Sequence, residues 1–299
     1  MKIERHNIGG WFQQLQDDIC DALSKLDGGA DFRTDHWDRA GGGGGRSRVI
    51  AQGGLIEKGG VNWSGVHGEL PVRIKAALGV EATEFYATGV SIVLHPRNPH
   101  VPIIHMNVRF FELNDHEWWF GGGIDLTPHY VVPTDARYFH QSLKAVCDHH
   151  DPTYYPKFKR WADEYFFIKH RNETRGVGGI FFDRLGSRSD QSRAEVFPFV
   201  QDVGRAFVPI YSHLATLNRE LPYGERELEW QAMRRSRYVE FNLVWDKGTR
   251  FGLDTDGRTE SILMSMPPLA KWVYDHAPQP GSREADTLNW LGRKVDWLT

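Results

Sequence analysis

The sequence predicts an α+β fold built on a large, mainly antiparallel β-sheet. Runs at residues 89–94 and 102–113 are rich in β-branched and aromatic side chains and are bounded by proline and glycine, as strands are. Three further runs between residues 237 and 268 are separated by Asp246-Lys247-Gly248 and Asp256-Gly257, two hairpin signals that predict a three-stranded meander. Helical patterns flank these runs without a regular βαβ alternation, which favours an antiparallel sheet.

Apolar residues at helical spacing predict four helices. The first ends at Asp27-Gly28-Gly29, and its apolar face comprises Trp11, Leu15, Ile19, Leu23 and Leu26. Two more span residues 134–150 and 155–170, and a fourth lies within 192–219. We expect Pro198 and Pro209 to start or kink the fourth helix rather than lie inside it, because proline lacks a backbone donor and clashes with the preceding turn.

A glycine-rich segment, AGGGGGRSRVI, precedes the first predicted strands and carries Arg46 and Arg48. A phosphate-binding loop would end in Gly-Lys-Ser/Thr and open a helix, and this segment has neither feature. We therefore expect Gly41–Gly45 to be mobile, and the segment to act as a linker or as a lid that closes over an anion.

The chain is long enough for one large core or two small ones, and its lack of repeats, low-complexity linkers and composition breaks favours a single domain, residues 1–299. The chain is 40% hydrophobic with a net charge of −3, so it lacks the concentrated basic surface that general nucleic-acid binding requires. No apolar run is long enough to span a membrane, and the first ten residues lack the apolar stretch of a secretory signal. Cys20 and Cys147 are expected to be reduced structural thiols, which predicts a cytoplasmic protein.

Candidate site residues alternate along the predicted strand IIHMNVRFF. His105, Asn107 and Arg109 would share one face, because successive strand residues point to opposite faces. In SIVLHP the same alternation places Ser91 with His95, which a neighbouring strand could bring beside these three residues. The alternative is that these side chains simply cover a solvated face of the sheet.

The stretch WWFGGGIDLTPHY places the carboxylate of Asp125 after an aromatic segment and three glycines. Glycine lets the backbone approach a ligand closely but weakens a strand, so the arrangement indicates a site. By contrast, GVGGIFF around Gly176 is a poor dinucleotide motif because it leads into a strand rather than a helix, and no GxSxG motif indicates a serine hydrolase. Arg171 and Arg175 are expected to be solvated unless a ligand binds them.

Several histidines in the central third raise the question of a metal. The sequence has no HExxH, HxH or EF-hand motif, and Arg109 near His105 would repel a cation. A two-histidine, one-carboxylate iron site of His105, His140 and Asp125 remains an alternative. The residue pattern disfavours a bound catalytic metal.

Seven long motifs together resemble the oxygen-dependent coproporphyrinogen III oxidases of haem biosynthesis, over residues 11–297. These motifs are GGGGGRSRV, GVNWSGVHG, SIVLHPRNP, HMNVRFFE, WWFGGGIDLTP, YVEFNLVWDKGTRFGL and GRTESILMSMPP. The resemblance implies a large antiparallel sheet with helices on both faces, in a homodimer. It also implies oxidative decarboxylation of two propionates of coproporphyrinogen III to vinyl groups, which gives protoporphyrinogen IX, carbon dioxide and hydrogen peroxide.

The resemblance also implies roles for individual residues. Asp125 would hold the central pyrrole N–H groups and could take a proton from one of them, which would make the ring more electron-rich toward oxygen. His105 would be the general acid/base, and Arg109 would act with them. The implied substrate contacts are Ser91, Asn107, Val108, Arg109, Asp256, Gly257 and Arg258. The pyrrole rings supply the electrons, so no organic cofactor is expected and molecular oxygen is a co-substrate.

Some relatives of this family are described with a divalent metal at positions matching His95, His105, His140 and His170, whereas others are described as metal-free. The family commonly has Asp-Asp after Phe-Phe, but here Arg184 follows Asp183, which puts the role of a second carboxylate in doubt. Two alternative functions are a tetrapyrrole-binding carrier, and a metal-dependent dioxygenase that acts on another aromatic anion.

Overall fold

The central sheet consists of seven antiparallel strands in the described part of the chain. The computed structural model describes residues 3–70, 75, 79, 81–114, 117–186, 191–254, 257–292 and 294–299. The strands are β1 (Arg33–Asp38), β2 (Gly43–Ala51), β3 (Ile56–Glu69), β4 (Glu84–Pro96), β5 (Ile103–Glu112), β6 (Trp118–Thr127) and β9 (Gly178–Leu185). They lie in the order β1-β2-β3-β4-β5-β6-β9, and a separate two-stranded sheet pairs β7 (Phe167–Ile168) with β8 (Glu173–Thr174).

The helices of the described chain begin before the sheet and continue between and after its strands. They are α1 (Arg5–Asp27), α2 (Pro133–His150), α3 (Tyr154–Tyr165), α4 (Arg193–Asn218), α5 (Glu225–Glu240), α6 (Lys247–Asp254), α7 (Thr259–Leu263) and α8 (Arg283–Leu291). A five-residue π-helical segment, Phe241–Trp245, follows α5 directly. This combination confirms the predicted α+β class.

One face of the sheet packs on α1, α2 and α4 to form the main hydrophobic core. On β5, the core-facing residues Met106, Val108 and Phe110 are at most 1% exposed, and they alternate with the half-buried His105, Asn107 and Arg109. The predicted alternation of this strand is therefore confirmed. The helices contribute apolar residues at helical spacing, such as Phe12 and Ile19 of α1.

The other face of the sheet is covered in part by the chain from α5 to α7. Ser261 of α7 bonds through its hydroxyl to Ser47 (2.8 Å), and its carbonyl accepts a hydrogen bond from Asn62 (2.6 Å). On α5, Gln231 donates to the carbonyl of Pro96 at the end of β4. Helical segments therefore lie on both faces of the sheet, as the family resemblance implied.

The predicted meander between residues 237 and 268 is wrong, because this region is helical. The buried residues Trp230, Gln231, Arg234, Arg235 and Tyr238 of α5 recur in steps of one, three and four residues, as on one face of a helix, and not in the two-residue alternation of a strand. Asp246 does not open a hairpin: its Oδ2 accepts the backbone N–H of Thr249 at 2.6 Å and so caps α6. Aspartate and glycine occur at helix starts as well as in turns, so the local signal was ambiguous. Asp256 lies outside the described residues.

The expectation of a mobile lid at Gly41–Gly45 is also wrong, because β2 begins at Gly43 and pairs with both β1 and β3. A Cβ on Gly45 would lie 2.3 Å from the ring of Trp37, so glycine here allows close packing rather than motion. The two arginines that follow face α1, where Arg46 Nη2 and Arg48 Nη1 bind the Asp17 carboxylate at 2.7 and 3.0 Å.

Two helix predictions need smaller corrections. The helix predicted for 155–170 ends at Tyr165, because Phe167 and Ile168 pair with Thr174 and Glu173. The helix predicted within 192–219 is present as α4, but Pro198 and Pro209 lie inside it. We attribute the continuous helix to tertiary packing: its residues Phe197, Phe199, Phe207 and Ile210 are all buried in the core on either side of the prolines.

Candidate active site

The face of the sheet that turns away from the main core carries mostly glycines and short polar side chains. One row of paired residues across β2 to β6 consists of Ser47, Asn62, Ser91, Asn107 and Gly123. The adjacent rows contain further glycines, among them Gly45, Gly60, Gly89, Gly121 and Gly179. Gly45 and Gly60 are covered by the side chains of Trp37 and Met264, whereas Gly89 and its neighbours Ser91, Asn107 and Arg109 are only partly buried. Since glycine has no side chain, a flat ligand can approach the sheet closely at Gly89. We call this face of the sheet the glycine face.

His105 and Asp125 lie side by side on the glycine face, because strand pairing places them directly opposite each other on β5 and β6. His105 Nδ1 is 2.7 Å from Asp125 Oδ1. The histidine side chain is 23% exposed and the aspartate side chain 3%, so the imidazole is the accessible member of the pair.

Arg175 holds the other oxygen of the same carboxylate. Its Nη2 donates to Asp125 Oδ2 at 2.6 Å, and its Nη1 donates to Asn242 Oδ1 at 3.2 Å. The guanidinium lies between the rings of Phe166, Tyr238 and Phe241, at 4.3, 4.9 and 4.7 Å from their centroids. The expectation of a solvated Arg175 is therefore wrong: its side chain is 2% exposed. Arg171, in contrast, is 38% exposed and binds Glu240.

This arrangement keeps Asp125 ionised. Burial by itself would raise the pKa of the carboxyl group, but Arg175 and His105 together hold it below its usual range. An ionised Asp125 accepts a hydrogen bond, so the proton between the two residues belongs to His105 Nδ1. Nε2 lies outside this hydrogen bond, which suits His105 to proton transfer with a ligand.

Arg109 lies one row from Asn107 on the glycine face. Its Nη1 donates to Asn107 Oδ1 at 2.7 Å and its Nη2 to Asp183 Oδ1 at 2.8 Å, and both charged side chains are about one third exposed. A Cβ on Gly121 would lie 2.7 Å from Asp183 Oδ1 and 2.8 Å from Arg109 Cζ. Glycine at 121 therefore provides the space in which this ion pair crosses the strand.

Arg258 lies at the opposite edge of the glycine face. Its Nη2 binds Asp35 Oδ2 on β1, and its Nη1 donates to Ser261 Oγ at 3.4 Å. Asp35 pairs with Ser47, at the end of the same row that contains Ser91 and Asn107. With strands spaced about 4.8 Å apart, β1 and β5 are roughly 19 Å apart, so cations flank a wide platform.

The chain is similar to known proteins over almost its whole length. The family model for coproporphyrinogen III oxidase matches residues 7–297. A protein of Drosophila melanogaster named oxygen-dependent coproporphyrinogen-III oxidase is 48% identical over 98% of this chain and 78% of its own length. A protein of Prochlorococcus marinus with the same name is 49% identical over 95% of this chain and 88% of its own length.

The chain belongs to the coproporphyrinogen III oxidase family. The resemblance inferred from the seven motifs is thus confirmed.

Most of the residues that the coproporphyrinogen oxidase resemblance implied lie together on the glycine face. Ser91 and Asn107 are register partners, and His105, Arg109 and Asp125 occupy adjacent rows. Val108 is different: its side chain is 0% exposed in the main core, so it does not face the site. Gly257 donates its backbone N–H to Gly252 O at 2.8 Å beside Arg258.

The four histidines that match the metal positions described for some relatives do not converge in the described structure. His95 Nε2 bonds to Ser265 O at 2.8 Å, and His105 pairs with Asp125. His140, on α2, uses both ring nitrogens to bond Tyr155 and Val177 O, and His170 bonds Glu240 and Trp245. Burial lowers the pKa of His95 to about 3 and that of His140 to about 4, so both are neutral structural residues at physiological pH. The iron triad that included His140 is likewise not assembled.

Sequence reasoning missed two groups of the site. The role of Arg175 was not predicted because its partner Asp125 lies 50 positions away in the sequence. The one local signal is that Arg175 directly precedes the glycine-rich Gly176-Val177-Gly178, where the chain can pack closely around a buried side chain. Asp183 was noted only for the departure at Arg184, yet it is the residue that pairs with Arg109. Arg184 itself is exposed, has φ of 52°, and lies over the ring of Trp119 at 5.5 Å.

Proposed function

We propose that the protein is an oxygen-dependent coproporphyrinogen III oxidase, which converts two propionates of coproporphyrinogen III to vinyl groups and yields protoporphyrinogen IX. Each propionate side chain reacts with one oxygen molecule and one proton. The products are one vinyl group, one carbon dioxide and one hydrogen peroxide. Membership of the family and the identity of 48–49% to two named relatives over 95–98% of this chain support this proposal.

The observation that carries the proposal is the series of contacts from His105 through Asp125 to Arg175 on the glycine face. The substrate is a large apolar macrocycle ringed by carboxylates. It needs a broad surface without protruding side chains under its rings, and cations at its edge. The glycine face provides the surface, while Arg109 and Arg258 lie toward opposite edges of it.

In this proposal Asp125 acts through its charge. Its lowered pKa makes it a weak base, but a buried carboxylate is a strong acceptor for pyrrole N–H groups and favours positive charge on an electron-depleted ring. His105 is the general acid/base, because its Nδ1 is oriented by Asp125 and its Nε2 lies outside that hydrogen bond. Arg175 is a positioning residue that keeps the carboxylate ionised and in place.

Electrons pass from the substrate to molecular oxygen, so we propose that the reaction needs neither an organic cofactor nor a catalytic metal. The electron-rich pyrrole rings provide the reducing power in this scheme. We also propose a cytoplasmic location, which the two buried free thiols, Cys20 and Cys147, support. No helix among the described residues has both the length and the apolar character to cross a membrane.

We further propose a homodimer that forms through the surface after α5. Leu243 and Val244 are 47% and 49% exposed there, and the nearby Trp272, bonded to Glu240, is 54% exposed. Apolar side chains grouped on a surface are typical of subunit interfaces. Light scattering should give twice the chain mass. Val244→Asp should lower it toward the monomer mass, whereas Leu217→Asp, a control at an exposed leucine of α4, should not.

The function is tested by incubating chelated, purified protein with coproporphyrinogen III in air and following protoporphyrin fluorescence, with an anaerobic control. We expect product that depends on oxygen and survives chelation. Binding without product would instead indicate a carrier. Activity that disappears on chelation and returns with added metal would indicate a metal-dependent oxygenase.

A further inference from the structure

The end of α2 and the middle of α4 bring two histidines and an aspartate together, away from the glycine face. His150 Nε2 lies 2.8 Å from Asp202 Oδ2, and the rings of His149 and His150 have centroids 5.0 Å apart at 86°. One nitrogen or oxygen atom from each of the three residues lies within 4.8 Å of the others. Among the described residues, this is the one group of three histidine, cysteine or acidic side chains so arranged.

Two imidazoles and a carboxylate are donors that Zn²⁺ and similar transition-metal ions prefer. Tetrahedral zinc with bonds of about 2.0–2.1 Å keeps its ligand atoms roughly 3.3 Å apart, so the His150–Asp202 distance needs to widen only slightly. The ion would replace the proton that the two residues now share. Water would complete the coordination, because His149 is exposed to solvent.

The surroundings of the group both favour and oppose a cation. His149 and His150 lie in the last turn of α2, where the free carbonyl groups of the helix end attract positive charge. Against this, Arg205 Nη1 lies 3.2 Å from Asp202 Oδ1. The arginine side chain is 60% exposed and contacts the oxygen that His150 does not use, so it can move away when an ion binds.

We propose that His149, His150 and Asp202 bind one divalent transition-metal ion, of which zinc is the representative, and that this ion is remote from the reaction. The His150 ring contacts Phe199 in an edge-to-face arrangement, and Phe199 packs on Phe182 in the main core. This core lies on the side of the sheet opposite the glycine face. The ion would cross-link α2 to α4 and stabilise the fold. Metal found in the purified protein would then come from this site rather than from the separate histidines 95, 105, 140 and 170.

Calorimetric titration of metal-stripped protein with zinc chloride tests the site without substrate. We expect one saturable zinc site per chain. His149→Gln and Asp202→Asn should each bind zinc at least about tenfold more weakly than the parent protein, because each variant loses a ligand. Arg205→Ala should bind zinc several-fold more tightly, since it removes the competing cation. His213→Gln, an exposed histidine of α4 outside the group, is the matched control and should bind like the parent protein.

Three outcomes would overturn the proposal. They are the absence of saturable binding, equal affinity in His149→Gln and the parent protein, and an equal loss of affinity in His213→Gln. Turnover provides a separate measurement: His149→Gln should retain the parent rate on coproporphyrinogen III with and without chelator. A rate that falls together with zinc occupancy would show that the ion is not remote from the reaction. A protein that binds zinc but lacks oxidase activity would refute only the proposed function.

Discussion

Arg175 and Asp125 form an ion pair in the interior of the protein, with Nη2 and Oδ2 2.6 Å apart and neither side chain more than 3% exposed. Such a pair is stable only while both partners are present, because an isolated buried charge is strongly unfavourable. Arg175 therefore both supports the fold and maintains the charge of Asp125.

Arg175→Met should lower the free energy of unfolding by about 3–5 kcal/mol, since it leaves Asp125 buried without its cation. Denaturant unfolding measures this change. The double variant Arg175→Met/Asp125→Asn should recover part of the loss, because the unpaired charge is gone. Arg205→Met, at an arginine 60% exposed, is the control and should change stability by less than about 0.5 kcal/mol. Equal stability of Arg175→Met and the parent protein would contradict the buried pair.

His105→Gln should retain anaerobic binding of coproporphyrinogen III but reduce kcat by roughly 10²–10⁴, the usual contribution of a general acid/base. Glutamine preserves a polar group of similar size but cannot transfer a proton. Rapid-quench measurement of product, with binding followed by fluorescence, separates the two effects. His36→Gln, at an exposed histidine on β1, is the control. An unchanged rate in His105→Gln would remove this residue from the mechanism.

The Arg109–Asp183 pair predicts opposite effects for its two members. Arg109→Ala should decrease kcat/KM. For a buried substrate carboxylate, the lost transition-state stabilisation is on the order of 2–5 kcal/mol. Asp183→Asn removes the carboxylate that competes with the substrate for the Arg109 guanidinium. KM should therefore fall by up to about fivefold, as expected for an ion pair that is about one third exposed. Steady-state kinetics of both variants test this competition. A KM that rises in Asp183→Asn would mean that the aspartate orients Arg109 for the substrate.

Gly121→Ala should impair turnover, because its Cβ would lie 2.7 Å from Asp183 Oδ1 and 2.8 Å from Arg109 Cζ. We expect a lower kcat/KM with a folded protein, as judged by circular dichroism. Gly10→Ala in α1 is the matched control, since no atom lies within 4 Å of its added Cβ, and it should stabilise the helix by about 0.5–1 kcal/mol. Parent-like kinetics in Gly121→Ala would show that this part of the glycine face is not used.

Stability should fall as the pH decreases from 7 to 5. His95 and His140 have folded pKa values of about 3 and about 4, below the ordinary value near 6.5, so between these limits the unfolded chain binds more protons than the folded one. Each should contribute a loss of roughly 1–2 kcal/mol by pH 5. Asp125 contributes in a different window: its lowered pKa stabilises the fold above about pH 4, and this effect disappears only at lower pH. Denaturant unfolding at both pH values should show a shallower dependence in His140→Gln, and an identical slope would contradict the assignment.

Sequence periodicity predicted the elements whose signals are long and local. The apolar spacing of α1 and its end at Gly28, which adopts φ of 69°, were predicted because they depend on adjacent residues. The prediction of strands between residues 237 and 268 was wrong for a physical reason. The run YVEFNLVW is compatible with a strand, and Asp246 with a turn, so only packing of Trp230, Arg234 and Tyr238 into the protein selects a helix.

The sequence by itself determined that His105, Asn107 and Arg109 share a face, since strand alternation is a property of neighbouring residues, and its motifs determined the family. Only the tertiary structure decided which groups complete the site. Pairing of β5 with β6 sets His105 beside Asp125, and pairing of β6 with β9 places Asp125 near the segment that carries Arg175. Asp125 and Arg175 are 50 positions apart in the sequence and carry no local signal of their contact, because burial and charge pairing arise only when distant segments pack together.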